Sequence, residues 1–413
     1  MAQGPSAALL VGEELAFPER RQDQSDSSPD PQINDKYVRG EIRIVTEQAR
    51  YPLSSIKDIV ESPSYKLSPE YQRRHRWSQA QQSLLIESLI MNVPIPPIFL
   101  YEYDYSKYEV MDGLQRLTAI HEFYTDKFPL SGLTQWAELN GRVYSKLPEK
   151  IREGIDRRYL SSVILLKETA KSEEDALRLK QLVFERINSG GARLTPQESR
   201  NAIFDGPLNR LCIQLSKNSA LCRLWDIPEP EEAELAGGPP SEARLQKEEF
   251  QKMEDVELVL RFFAYRQKHR LHKSGVPLSA YLDDYLRFGN TTFSAAILAK
   301  LEMLFVETIS LVEDVLGEKA FWLYRRRGRE GHWTWSWLER AAMTVYDPLM
   351  FVFSQHLSDA PKMRGLSDEF QNEITAFYQA NYASFEGRNV NPSALIEREE
   401  KIEAFVAGVL SGS

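Results

Sequence analysis

The spacing of apolar residues changes at a segment rich in glutamate, proline and glycine, and this change constrains the fold more than any other feature. The segment runs from Ile227 to Ala243. Before it, short runs of β-branched and aromatic residues alternate with helical spacing, as in a domain of strands and helices. After it, apolar residues recur almost only at helical spacing. The pattern predicts an α+β N-terminal domain followed by an all-helical C-terminal domain.

The predicted domain boundaries follow from this change. We expect a disordered tail at residues 1–35, because Glu19 to Asp30 contains no apolar residue except Pro29. Such a segment cannot bury enough surface to offset the entropy of ordering it. The α+β domain then occupies residues 36–226, a linker or loop residues 227–243, and the helical domain residues 244–413. A chain of 413 residues is long enough for each domain to have its own core.

Composition narrows the classes of function. The chain has 51 Lys and Arg against 60 Asp and Glu, a formal charge of −9, so any contact with a polyanion needs a local basic patch. Its two cysteines are too few for a disulfide scaffold or a cysteine-built zinc site. No apolar run approaches the roughly 20 residues that span a bilayer, and the N-terminus lacks the layout of a signal peptide. We expect a cytoplasmic protein without membrane contact.

Local signals place the main elements. Ser78 and Gln81 predict a capping box at the start of a helix. Strands are predicted at Ile98–Tyr103 and Lys107–Met111, with a turn between them. In the second half, the spacing predicts helices throughout, including one over Trp333–Gln355.

The sequence YEVMDGLQRLTAI joins the second predicted strand to a helix. Gly113 lets the backbone turn and approach a ligand closely. The helix start offers unpaired N–H groups and the positive end of the helix dipole, and Arg116 in its first turn can present a planar guanidinium. These features suit a phosphate, with Asp112 holding a metal or orienting a water. An equally open alternative is that Asp112 caps the helix and Arg116 pairs with it.

Two basic segments with neighbouring aromatic residues are candidates for nucleic-acid contact. The first is YQRRHRW, whose basic residues are Arg73, Arg74, His75 and Arg76. The second is RRRGR ahead of HWTWSW, whose leading residues are Arg325, Arg326 and Arg327. Taken alone, the YQRRHRW segment is explained slightly better by a solvated basic surface than by nucleic-acid contact. The RRRGR segment is explained better by arginines on a loop surface, beside partly buried tryptophans.

The sequence FERINSGGARLTPQESRNAIF places two glycines between two predicted helices. Gly190 and Gly191 can form an anion-binding nest ahead of the second helix. Thr195, Pro196 and Glu198 predict the N-cap, N1 and N3 positions of that helix. A helix C-cap, a loop and a capped helix explain the same residues fully, so the motif by itself is a weak sign of a ligand.

The motifs occur in the order YQRxxxW, SLLIESLIMNVPIPPIFLYE, YEVMDGLQRLTAI and FERINSGGARLTPQESRNAIF, within a span from about Ile56 to Phe204. In this order they resemble the DGQQR-motif family typified by the N-terminal domain of the GmrSD type IV restriction enzyme. That family is similar in fold to the ParB/sulfiredoxin group. The resemblance implies a ParB/sulfiredoxin-like N-terminal domain with a nucleotide pocket, in an NTP-hydrolysing or nucleotide-regulated protein that defends against phage or modified DNA.

The resemblance also implies roles for individual residues. The motif matches are Asp112, Gly113, Gln115 and Arg116 for DGQQR, Gln72 and Arg73 for YQR, and Asn188, Gly190, Gly191 and Glu198 for the third motif. Implied catalytic residues are Asp112, Gln115 and Arg116, with Asp112 also holding Mg²⁺ or another divalent cation together with the NTP. Implied phosphate-binding residues are Gln72, Arg73, Gly113, Arg116, Asn188, Gly190 and Gly191.

Two departures from the family pattern affect the expected activity. Leu114 stands where the family motif has its first glutamine, giving DGLQR. If that glutamine positions the hydrolytic water, hydrolysis is weak or lost while binding survives. In addition, the segment after Ala243 shows no histidine pair of a His-Asn-His nuclease, which argues against DNA cleavage by this chain alone.

Three functions follow from these motifs. The first is an NTP-binding and NTP-hydrolysing defence protein. Its expected partners are NTP, Mg²⁺, DNA and a second copy of the chain. The second is a DNA-binding or sensing module without catalysis that works with a separate nuclease, its DNA contacts being Arg74, Arg76, Arg325, Arg326 and Arg327. The third is a metal-dependent nuclease with Asp112, Glu87 and Glu198 as ligands.

Overall fold

The computed structural model describes residues 8–17, 29–38, 44–67, 74, 77–169, 172–188, 195–273, 275–329, 332–386 and 392–412. Contacts divide the chain into two compact units, which we describe separately. Residues Arg20–Leu194 form one unit, here named the sheet unit. Residues Met1–Glu19 and Thr195–Ser413 form the other, here named the helical unit. The division by contacts thus falls at Thr195, whereas the predicted domain boundary lies after residue 226.

The sheet unit contains a mixed sheet. Its strands are β1 (Thr46–Pro52), β2 (Tyr65–Lys66), β3 (Ile98–Asp104), β4 (Lys107–Asp112) and β5 (Tyr159–Leu165). Their order across the sheet is β1-β5-β3-β4-β2. The pairs β1–β5 and β3–β4 are antiparallel, and the pairs β3–β5 and β2–β4 are parallel. The predicted strands at residues 98–103 and 107–111 are confirmed, and the unit has the predicted α+β character.

The sheet unit also contains helices. They are α1 (Asp30–Val38), α2 (Ile56–Glu61), α3 (Gln79–Ile90), α4 (Leu114–Tyr124), α5 (Glu149–Asp156) and α6 (Glu173–Asn188). Of these helices, α1 is exposed along its described length. Leu117 and Ile120 of α4 lie in one apolar cluster with Ile98 and Leu100 of β3, all of them buried. The capping box predicted at the start of α3 is confirmed, since the side chains of its N-cap and N3 residues bond to each other's backbone N–H groups. The buried faces of β3 and α4 thus hold the end of β4 in place.

The helical unit consists mainly of helices. They are α7 (Pro196–Ile203), α8 (Pro207–Leu215), α9 (Ser219–Leu224), α10 (Glu232–Leu235), α11 (Glu242–Gln246), α12 (Glu248–Gln251), α13 (Glu254–Tyr265), α14 (Lys268–Leu271), α15 (Leu278–Thr292), α16 (Ala295–Leu316), α17 (Met343–Gln355), α18 (Ala360–Gly365), α19 (Ser367–Phe385) and α20 (Pro392–Ser411). Cys212 and Cys222 are buried free thiols. In the described part of the chain, no helix has the length and apolarity needed to cross a membrane.

The helical unit also contains a β-hairpin, so the prediction of an all-helical domain is wrong at this point. Strands β6 (Trp322–Arg329) and β7 (His332–Ala341) pair antiparallel. The helix predicted over Trp333–Gln355 begins only at Met343. The reason is the alternation in HWTWSW, because side chains two residues apart share one face of a strand.

Residues 8–17 differ from the disordered tail that the sequence predicts. Both carboxylate oxygens of Glu13 accept hydrogen bonds from Arg266, at 2.7 and 2.9 Å, and Leu15 is buried. The apolar residues ahead of the polar stretch allow this segment to join the core of the helical unit. Helix α1 also begins within the predicted tail, at Asp30. The remainder of that tail, residues 1–7 and 18–28, lies outside the described residues.

Candidate functional site

The end of β4 and the start of α4, here named the β4–α4 junction, form the candidate site of the sheet unit. β4 ends at Asp112, Gly113 turns the chain with φ +96°, and α4 begins at Leu114. This φ lies in the left-handed region that favours glycine. A Cβ atom on Gly113 would also clash with Cγ2 of Ile98. The strand, turn and helix predicted from the sequence are confirmed, and glycine is required at the turn.

The guanidinium of Arg116 is held by two contacts beside the helix start. Its Nη2 donates to Oδ2 of Asp112 at 2.6 Å, and its Nη1 donates to the carbonyl oxygen of Pro96 at 3.0 Å. The Arg116 side chain is 12% exposed and the Asp112 side chain 38%. The ion pair kept open as an alternative in the sequence is therefore present. It fixes a planar cation next to a carboxylate that solvent can reach.

The start of α4 carries no side-chain cap. Gly113 is the N-cap residue and makes no side-chain cap hydrogen bond. Asp112 therefore pairs with Arg116 instead of capping the helix. The first N–H groups of a helix lack partners within the helix and carry the positive end of its dipole. The junction thus combines a helix N-terminus with a fixed guanidinium, an arrangement that suits an anionic group.

Gln115 connects the junction to the upstream basic segment. The backbone N–H of Trp77 donates to Oε1 of Gln115 at 3.2 Å. Leu114 packs half-buried against the apolar core of the sheet unit. Because Trp77 is the last residue of YQRRHRW, this bond brings the end of that segment to the start of α4.

The basic residues of that segment can be placed only in part. Arg74 is 4% exposed, so its guanidinium lies in the interior, which does not suit the direct DNA contact predicted for it. A buried charge requires compensating partners, and Arg74 has them. Gln72, Arg73 and Arg76 lie outside the described residues.

Comparison with known protein families places this site in a recognised domain. Residues 56–204 match the family model of the GmrSD restriction endonuclease, N-terminal domain. The chain contains a GmrSD N-terminal domain. The match relates this part of the chain to the N-terminal domain of a restriction enzyme. No curated protein matches the chain, and no solved structure matches it.

The third motif closes the matched span of the GmrSD domain. Helix α6 ends at Asn188, whereas Gly190 and Gly191 lie outside the described residues. Oγ1 of Thr195 accepts the N–H of Glu198 at 3.2 Å, and the N–H of Thr195 donates to Oε2 of Glu198 at 2.5 Å. The predicted capping box is confirmed, so Glu198 stabilises the start of α7.

The carboxylates considered for a nuclease centre have structural partners. Oε1 of buried Glu87 accepts the backbone N–H groups of Gln135 and Trp136 at 2.8 and 2.9 Å. Glu198 belongs to the capping box. Within the described ranges, no group of three or more His, Cys, Asp or Glu residues is arranged to hold a metal ion. Glu87 and Asp112 are thus engaged within the sheet unit, and Glu198 is engaged within the helical unit.

The arginines of RRRGR lie on a strand of the helical unit rather than on a loop. Arg325, Arg326 and Arg327 belong to β6 and face Ser336, Trp335 and Thr334 of β7 in the ladder. Arg326 and Arg327 are exposed, and Arg325 is half-buried. The structure therefore presents these cations on a two-stranded ribbon with tryptophans on its second strand.

Two contacts that stabilise the β4–α4 junction were not predicted from the sequence. The first is the carbonyl of Pro96, for which the proline-rich run ahead of β3 was the available signal. The second is the buried pair in which Nζ of Lys180 on α6 donates to both oxygens of Glu109 on β4 at 2.8 Å. Glu109 lies three residues before Asp112, and its ion pair with Lys180 joins α6 to the strand that carries the site. Nothing in the sequence pairs these two residues.

Proposed function

We propose that the GmrSD domain binds a nucleoside triphosphate at the β4–α4 junction and hydrolyses it with a divalent cation, in a system that acts on foreign or modified DNA. The observation that carries the proposal is the guanidinium of Arg116, fixed by Asp112 and Pro96 beside a helix start without a side-chain cap. Rigid donors at a helix N-terminus are a recurring arrangement for phosphate groups.

The residues of the junction have distinct parts in this proposal. Phosphate oxygens accept hydrogen bonds from the first N–H groups of α4. Gly113 has no Cβ, so the backbone can come close to the phosphate. Arg116 adds charge-assisted bonds, because a guanidinium has five N–H donors and needs only some of them for Asp112 and Pro96. Gln115 orients the attacking water, and Arg73 supplies a second positive charge as phosphate charge builds up.

A divalent cation fits this site only together with the nucleotide. Asp112 is a single, partly exposed carboxylate with one oxygen engaged by Arg116. Protein-bound Mg²⁺ commonly uses one or two carboxylates together with substrate phosphates. Asp112 would hold the cation, which when bound neutralises phosphate charge. We therefore expect Mg²⁺ to bind the protein measurably only when NTP is present.

Leu114 sets the expected level of hydrolysis. It packs against the core and cannot orient water, so the proposal predicts tight binding with slow turnover. Leu114→Gln restores the family motif and should raise the rate of phosphate release if the first glutamine positions water. An unchanged rate would mean that Gln115 alone positions the attacking water.

The proposal is tested by nucleotide titration calorimetry and phosphate release. Arg116→Ala should weaken NTP binding about tenfold or more, since charge-assisted hydrogen bonds contribute about 1.5–3 kcal/mol. The control is Arg157→Ala, which removes an exposed arginine of the same unit and should change nothing. Equal or absent signals in all three proteins, across the NTPs and divalent cations, would reject the proposal.

A ParB/sulfiredoxin-like fold of the sheet unit belongs to the same proposal. Its support is the resemblance of DGLQR to the DGQQR motif, which implies a place equivalent to the phosphate-contacting arginine motif of ParB-like proteins. The mixed sheet that carries this motif at the end of β4 is compatible with it. A nucleotide-bound crystal structure of the full chain would test both the fold and the pocket.

A second candidate function is DNA binding by the β6–β7 hairpin, with cleavage by a separate nuclease. The observation in its favour is the pair of exposed arginines, Arg326 and Arg327, on a two-stranded ribbon. Such a ribbon fits the major groove, and arginines contact phosphates. Arg327→Glu should weaken binding to duplex DNA and reduce its salt dependence. Lys300→Glu, the same charge change at an exposed position of α16, serves as the control.

A further inference from the structure

A cavity of about 450 Å³ lies in the helical unit beside the β6–β7 hairpin. Its walls come from the end of α16 and the turn after it, from Trp337 of β7, and from one side of α19. Small-molecule sites in proteins typically measure about 300–1,000 Å³. The cavity therefore has room for a ligand of the size of a nucleobase with its sugar and phosphate.

Trp337 and Ile374 contribute apolar side chains to the cavity lining. Trp337 is positioned by Tyr324, with ring centroids 5.2 Å apart, and by an edge contact with Tyr378 at 6.2 Å. Ile374 of α19 adds a buried aliphatic side chain to the lining. An indole held in place by other rings is a stacking surface for a planar heterocycle.

Two polar side chains of α19, Gln371 and Thr375, also line the cavity. Nε2 of Gln371 donates to the carbonyl oxygen of Val315 at 3.1 Å. This bond fixes the amide and thereby defines the direction in which its Oε1 can accept an N–H from a ligand. The half-buried hydroxyl of Thr375 lies one helical turn further along α19. An amide and a hydroxyl in fixed positions are typical of groups that recognise the edge of a base.

A cation completes the lining. Nζ of Lys319 lies 5.7 Å from the ring centroid of Trp337, and its side chain is exposed. It can therefore move onto a phosphate while the ring of a base occupies the face of Trp337. Glu318 also lines the cavity, so an anionic group is favoured only on the side of Lys319.

Aromatic residues continue from the cavity along one face of the hairpin. Tyr324 stacks on Trp335, with ring centroids 5.8 Å apart and an interplanar angle of 20°. Further along, the guanidinium of Arg326 lies 4.6 Å from the ring centroid of exposed Trp333. Trp335 and Arg326 also contact Tyr382 of α19. Trp333, in contrast, is exposed and offers a ring on which a base beyond the cavity can stack.

We infer that this cavity binds a nucleobase with its adjoining phosphate. Trp337 stacks on the base, Gln371 and Thr375 bond its edge, and Lys319 pairs with the phosphate. The ligand can come from a free nucleotide or from an unpaired base of a DNA strand that follows the hairpin. If the base belongs to DNA, the inference deepens the second candidate function and rests on DNA contact by the hairpin. If the ligand is a free nucleotide, the inference is independent of that function.

The test uses the full chain and two kinds of probe. The first probe is a labelled DNA duplex with one base left unpaired, compared with the fully paired duplex. The second is the set of four nucleoside 5′-monophosphates, measured in an Arg116→Ala background to suppress binding at the β4–α4 junction. The cavity variant is Lys319→Ala/Gln371→Leu, which changes exposed side chains only. Its control is Lys300→Ala/Gln379→Leu, which makes the same changes on α16 and α19 away from the cavity.

We expect the unpaired base to raise the affinity of the wild type about tenfold, a stacking and edge-contact effect. The cavity variant should lose this preference and keep its affinity for the paired duplex, and the control should keep both. Monophosphate binding that the cavity variant loses, without a preference for the unpaired base, would assign the site to free nucleotides. The inference is overturned if the cavity variant behaves as the wild type with both probes, or if neither probe detects the site.

Arg327→Glu separates this inference from DNA binding by the hairpin. It should lower the affinity for both duplexes equally and leave monophosphate binding unchanged. If Arg327→Glu leaves both duplex affinities intact, the second candidate function fails, and the monophosphates then decide whether the cavity is a site.

Discussion

Lys268 is buried in the helical unit, and replacing it with methionine should stabilise the protein. Its side chain is 2% exposed, and its Nζ has no hydrogen-bond partner among the described residues. The ammonium lies 3.9 Å from the ring centroid of Tyr265. Burial is the main cause that lowers the pKa of Lys268 from 10.5 to about 7, with Asp347 opposing the change and Arg261 adding to it. Methionine is similar in length and has no charge to bury.

The lowered pKa sets the size and the pH dependence of the effect. The unfolded chain keeps the lysine proton up to a pH near 10.5, whereas the folded protein releases it near pH 7. Between these values the unfolded state binds more protons, so this group makes the free energy of unfolding rise by about 1.4 kcal/mol per pH unit. Over the whole interval this is about 5 kcal/mol, and the full cost is present below pH 7. Lys268→Met removes that cost.

Urea unfolding followed by tryptophan fluorescence measures this difference. Five of the seven tryptophans report on the helical unit, namely Trp225, Trp322, Trp333, Trp335 and Trp337. At pH 6, the free energy of unfolding of Lys268→Met should be higher than that of the wild type by up to about 5 kcal/mol. This difference between the two proteins should become about 2 kcal/mol smaller between pH 7 and 9. Lys300→Met at an exposed position should show neither effect. An excess that stays constant with pH, or a less stable variant at pH 6, would refute the reasoning.

Three further predictions concern stability. Gly113→Ala should lower the free energy of unfolding by about 2–4 kcal/mol, from the left-handed backbone and the clash of the new methyl group; urea unfolding measures this, and an unchanged midpoint would contradict it. Thr195→Ala removes the N-cap of α7 and should cost about 1 kcal/mol in the same experiment, whereas Thr195→Ser should retain most of it. Burial alone would lower the pKa of His356, but hydrogen bonds and charge from Asp359 and Glu403 raise it above 6.5. The stability from His356 is then complete below pH 6.5 and is lost as the pH rises through the raised value, so His356→Gln should destabilise the protein more at pH 5.5 than at pH 9, and an equal loss at both would count against this.

Local signals in the sequence were sufficient for many elements. The capping boxes at Ser78 and Thr195 were predicted because each N-cap and its partner lie three residues apart, and the structure has both. The strands on either side of the β3–β4 turn were predicted to within one residue at each end. Such contacts depend only on neighbouring residues, so the rest of the fold need not be known.

Other elements were predicted wrongly because contacts with other segments of the chain, and not the local helical spacing, decide their structure. Trp335 and Trp337 were assigned to a helix, yet they lie on β7 and contact Tyr382 and Tyr378 of α19. Residues 8–17 were assigned to a tail, yet Glu13 pairs with Arg266 more than 250 residues away. In both cases burial against a distant segment outweighs the local preference.

The sequence by itself determined the order of the motifs, the strand–glycine–helix junction and membership in the GmrSD N-terminal family, since all of these rest on the identity and spacing of neighbouring residues. The tertiary structure alone decided that Asp112 pairs with Arg116 instead of capping α4, that Pro96 holds the same guanidinium, and that RRRGR lies on a ribbon beside a cavity. The physical reason is that charged groups take the partners that packing brings to them. Burial of apolar surface selects which distant segments meet, and the polar groups must then be satisfied where they lie.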